Sequence, residues 1–199
     1  METKNSNWEA VDSWAVSRDN RLFSLYSTLA EWRKTEAVSS VAVATYSGNL
    51  EYVPDHILSP EICRAALTAK DADLDILSKI PFPEVQKEAI KMFLDEGNDP
   101  FVVYSFADIS DSKMAQDAVQ RNAYCIQLVP DKLLTKDLCK LALQNPDADK
   151  KVLEFIPERF HHNPEIRKMA EEKFGNNPVQ KEEKQKEISL SEKKKGRGI

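Results

Sequence analysis

Residues 53–81 read VPDHILSPEICRAALTAKDADLDILSKIP, and residues 129–157 read VPDKLLTKDLCKLALQNPDADKKVLEFIP. The two segments align over 29 positions without a gap, at an offset of 76, with 13 identities. Unrelated segments of that length share about two by background residue frequencies. Most of the other pairs are conservative, among them Ile57 with Leu133, Ser59 with Thr135, Glu61 with Asp137 and Arg64 with Lys140. Internal similarity at this spacing marks a repeat architecture.

The doubling runs outward from these segments. AVATYSGNLEYV (42–53) and AVQRNAYCIQLV (118–129) both lead into Val-Pro-Asp. Downstream, PEVQKEAIKMF (83–93) resembles PEIRKMAEEKF (164–174) at an offset of 81, which implies a five-residue insertion around FHHN. A finer period lies inside the large one. Ala42, Ala66, Ala89, Ala118, Ala142 and Ala170 sit mid-face in helical stretches, at spacings of 24, 23, 29, 24 and 28. Units of this length hold two short helices, and alanine at the crossing lets neighbouring helices approach closely.

Local signals agree with the helical reading. Ser59 is a natural N-cap, Pro60 suits the first helical position, and Glu61 favours the positive helix start. Ile62, Cys63, Ala66 and Leu67 then share one face. Asp71 or Asp73 is expected to cap a second helix, with Leu74, Leu77 and Ile80 inside and Pro81 as its stop. Thr135 and Asp147 take the same parts in the second copy. Cys63 and Cys139 hold the same repeat position and are expected in the core rather than as nucleophiles or ligands. The expected fold is all-α: a short α-solenoid of about six two-helix repeat units with an N-terminal helical cap.

The expected organisation has three parts. Residues 1–35 hold all three tryptophans, Trp8, Trp14 and Trp32, with Leu22, Leu25, Leu29 and Trp32 at helical intervals. A terminal repeat has an open apolar face, so this segment is expected to cover it; a tryptophan-based binding site is the alternative. Residues 36–175 form the repeat domain, with duplicated blocks at about 37–93 and 113–174. Residues 176–199, nearly devoid of apolar side chains, are expected to be a disordered basic tail.

Charge is unevenly spread. Residues 36–112 carry five basic and fourteen acidic side chains, a net of −9, whereas 113–175 carry eleven and ten. An acidic block of that size repels phosphate backbones. No apolar run nears the roughly 20 residues needed to span a bilayer, and the start METKNSNWEAVDSW lacks the regions of a secretory signal. A cytoplasmic protein without membrane attachment is expected, and three scattered cysteines suit that compartment.

No catalytic constellation emerges, and no enzyme activity, cofactor or metal is expected. DADLD (71–75) lacks the glycine and glutamate of an acidic calcium loop, with Ile76 and Phe82 in their places. His161 and His162 are adjacent, so on a helix they point apart. Phosphate-cradling glycine loops and nucleophile elbows are missing from the sequence. Two clusters remain as candidate partner-binding residues: Asp71, Asp73 and Asp75 in the acidic block, and Lys193, Lys194, Lys195 and Arg197 in the tail.

The repeats resemble a bacterial and viral helical repeat family of unknown function, whose pattern runs A-V, N-G, leucine, V-P, leucine, Ser or Thr, then L-C. The matching positions are Ala42, Val43, Leu50, Val53, Pro54, Leu58, Ser59, Ile62, Cys63 and Ala66. Their counterparts are Ala118, Val119, Ile126, Val129, Pro130, Leu134, Thr135, Leu138, Cys139 and Ala142. Ser47-Gly48 and Asn122-Ala123 stand where the family has N-G. The resemblance covers about half the chain and implies no activity, since such repeats occur in mobile-element and phage-related proteins without an assigned reaction. A non-catalytic scaffold or inhibitor that binds another protein is expected. The alternative is a nucleic-acid accessory protein of a mobile element acting through the basic tail.

Overall fold

The computed structural model describes residues 8–18 and 24–175. Leu22 and the 176–199 tail lie outside the described residues. Among those described, α-helices and 3-10 helices make up the regular structure and no strand occurs. The chain divides into two compact units, Met1–Asp108 and Ile109–Ile199.

In the first unit, α1 (Trp8–Ser17) and the four-residue α2 (Leu25–Thr28) precede a 3-10 turn, Glu31–Arg33. Then come α3 (Glu36–Thr45), a 3-10 helix Ser47–Tyr52, α4 (Pro60–Leu67), a 3-10 helix Leu74–Lys79, α5 (Pro83–Asp95) and α6 (Pro100–Ser105). Helices pack in succession, α1 on α3, α3 on α4, α4 on α5 and α5 on α6. The second unit runs α7 (Ser112–Arg121), 3-10 helices Ala123–Leu128 and Asp131–Leu133, and α8 (Lys136–Gln144). It closes with the 3-10 helix Lys150–Phe155, α9 (Glu158–His161) and α10 (Pro164–Phe174). Here α8 packs against both α7 and α10.

The repeat seen in the sequence is a repeat of elements. α3 and α7 begin and end 76 residues apart, as do the 3-10 helices that follow them and the pair Leu74–Lys79 and Lys150–Phe155. α5 and α10 start 81 residues apart, and α9 occupies the insertion. The six alanines each stand at the seventh residue of α3, α4, α5, α7, α8 and α10, and none is more than 1% exposed. Five of these six helices carry a side-chain N-cap: Thr35, Ser59, Asp111, Thr135 and Asn163. The sixth, α5, starts at Pro83 after Phe82, which has no capping oxygen.

The structure refines the second helix of the repeat. It is a six-residue 3-10 helix rather than an α-helix in each copy. Three residues make one turn of such a helix, and of the expected inner stripe Leu74 is only half-buried. Leu77 and Ile80 are buried, together with Ile76. The cap is Asp73, whose carboxylate accepts from the Asp75 amide. In the second copy it is Asp149, not Asp147.

The N-terminal segment also departs from expectation. Leu25, Leu29 and Trp32 do not share one helix, since α2 stops at Thr28 and Leu29 and Ala30 are extended. Tyr26 enters the core instead, fully buried, with its hydroxyl 2.6 Å from the Ser39 Oγ of α3. α1 turns Asp12 and Val16 inward. The Asp12 carboxylate is met by Arg33, whose Nε donates to Oδ2 at 2.8 Å.

Candidate functional site

Two surfaces of the first unit and the thiols bear on function. The first surface follows from the angular spacing of α1. With about 100° per residue, a helix that buries positions 12 and 16 turns 11, 14 and 18 away. Val11 is 55% exposed and Trp14 61%, and the Arg18 guanidinium lies 5.0 Å from the Trp14 ring centroid. Trp32 is 70% exposed. Its ring meets Trp8 edge-on at 5.5 Å, with the Arg33 guanidinium 5.9 Å away. Tyr46 and Tyr52 are exposed as well, and Lys34 lies over the Tyr26 and Tyr52 rings and donates to the Tyr52 carbonyl.

Of the six large apolar side chains standing exposed among the described residues, five fall between Val11 and Tyr52; the sixth is Val102. Trp14 and Trp32 therefore do not enter the core. Val16 and Tyr26 are the side chains this segment buries, with Asp12 neutralised by Arg33. The sequence groups the tryptophans by type, whereas their helical angle relative to Asp12 and Val16 separates Trp14 from the core.

The second surface is the acidic segment. Asp71 reaches back across the repeat: its carboxylate accepts from the Ser47 amide at 3.1 and 3.2 Å and lies 3.1 Å from the Ser47 hydroxyl. It thereby caps the Ser47–Tyr52 helix. Tyr46 before it makes no side-chain cap, whereas in the second copy the preceding Asn122 does, its Oδ1 accepting from the Tyr124 amide at 2.9 Å. Asp73 is itself a cap, and the exposed Asp75 follows it. Asp73, Leu74, Asp75, Phe93 and Glu96 line an open depression of about 380 Å³. Lys150 and Lys151 replace Leu74 and Asp75 in the second copy.

Asp71→Ala is expected to cost about 1 kcal/mol, since it leaves the helix-start amide of the buried Ser47 without its partner. Asp147→Ala, at the matching exposed position, is expected to stay within about 0.5 kcal/mol of the parent. Urea denaturation of the two variants checks the difference.

A different cap exchange escapes the sequence altogether. In the first copy the buried Asn49 donates through Nδ2 to the Ala42 carbonyl at 2.9 Å. The second copy has Cys125 there, and Asn145 donates instead to the Val119 and Gln120 carbonyls at 3.0 Å. Both asparagines donate to carbonyls near a helix end, from positions that do not align; Ala42 also accepts from the Tyr46 amide.

The thiols are placed as expected for core residues. Cys63 and Cys139 are 0% exposed, and burial pushes each thiol up to about 11. Cys125 is buried too. At pH 8 a group with that pKa is thiolate in about one molecule in a thousand, and the thiolate is the reacting form. Native protein is expected to resist Ellman's reagent for hours and to react fully in denaturant. Rapid modification of Cys63 and Cys139 in native buffer would contradict their equivalent inner positions.

His161 Nε2 lies 2.6 Å from the Ile156 carbonyl oxygen, a local contact between the insertion and the residues just before it. Among the described residues no group of three or more His, Cys, Asp or Glu side chains is arranged to hold a metal. No described helix is long and apolar enough to cross a membrane. Lys193, Lys194, Lys195 and Arg197 lie outside the described residues. No family model, curated protein or solved structure matches this chain.

Proposed function

We propose that the chain is a short α-solenoid of about six two-helix units that acts in the cytoplasm as a non-catalytic scaffold or inhibitor of another protein. The observation that carries this is the aromatic surface of the first unit. Trp14 and Trp32 are 61% and 70% exposed, and tryptophan, tyrosine and arginine are the side chains that dominate protein interfaces. Holding a large ring in water is unfavourable by about 25 cal/mol per Å² of apolar area relative to burying it. A partner that covers these rings recovers that free energy. The regular α/3-10 framework supports the reading, since stacked short units supply extended binding surfaces. The likeness of its repeats to those of mobile-element and phage proteins supports a setting of that kind.

The test compares full-length protein with Trp14→Ala and Trp32→Ala in affinity capture from lysate of the source cells. Trp14→Ala is expected to leave the unfolding free energy within about 0.5 kcal/mol of the parent, as for an exposed side chain away from buried features. Loss of a tryptophan anchor at an interface costs about 2 kcal/mol or more of binding, a drop of roughly thirtyfold. A partner captured equally by parent and both variants would remove the aromatic surface from the binding site.

A further inference from the structure

We draw no further inference here: the strongest candidate, the open depression lined by Asp73, Asp75 and Glu96 beside Phe93 in the first unit, is an acidic cluster, and nothing in the structure shows what occupies it.

Discussion

Replacing Arg33 by methionine is expected to destabilise the first unit by roughly 3 kcal/mol, because it strands a buried carboxylate. Asp12 is 4% exposed and sits on the inward face of α1. Arg33 meets it through both Nε and a terminal guanidinium nitrogen. Burying a carboxylate is tolerable only while such a partner is present, since the desolvation penalty of an unpaired ion amounts to several kcal/mol. The Arg33 side chain is 34% exposed, which screens the pair and places the expected cost at the low end of the range for buried pairs. The exposure also makes the two halves unequal. Asp12→Leu removes the group that needs compensation and leaves a guanidinium that can turn to solvent, so it is expected to cost less than Arg33→Met. The double variant should recover part of the loss. Chemical denaturation of the three variants measures this; equal costs for the two single changes would mean that the carboxylate is not the liability.

Ala66→Leu and Ala142→Leu are each expected to cost roughly 1–3 kcal/mol through overpacking. Both alanines are 0% exposed. They stand at the same position of equivalent helices, and α4 and α8 each pack between two neighbouring helices. A leucine adds three carbons where no open surface receives them, so the helices must part or the side chain must leave its rotamer well. Because the two environments repeat one another, the two costs should agree to within a few tenths of a kcal/mol. An Ala142→Leu variant as stable as the parent, in thermal or denaturant unfolding, would mean that the helix crossing tolerates separation and that alanine is not what sets it.

Much of this framework is legible in residue patterns because local and tertiary preferences coincide. Ser59, Pro60 and Glu61 start α4 where expected, with the Ser59 hydroxyl accepting from the Ile62 amide, and the alanine spacing foretells every α-helix that recurs. The type of the second helix is less visible. A stretch such as LDILSK, held between the caps Asp73 and Ile80, is too short for periods of 3.0 and 3.6 to be told apart by apolar spacing. The role of Asp71 is hidden for a different reason. Its partner Ser47 lies 24 residues earlier, at the start of the preceding 3-10 helix, so no local pattern signals the bond. The surface of the tryptophans is obscured by composition: three tryptophans in 35 residues suggest a buried cluster, yet what settles the exposure of Trp14 is its angle on α1 relative to Asp12 and Val16. Of the two clusters singled out for partner binding, the acidic one is partly structural. Asp71 and Asp73 cap helices, which leaves the exposed Asp75 as the member whose carboxylate caps neither of them.

The most direct test of the proposed function is affinity capture with the full-length protein, the Trp14→Ala/Trp32→Ala double variant and a nuclease-treated sample run in parallel. A partner protein that survives nuclease treatment and is lost with the double variant, while circular dichroism and the unfolding midpoint show that variant still folded, is the predicted result. Capture that vanishes with nuclease and is indifferent to Trp14 and Trp32 would contradict it, placing binding with nucleic acid and away from the exposed aromatic surface.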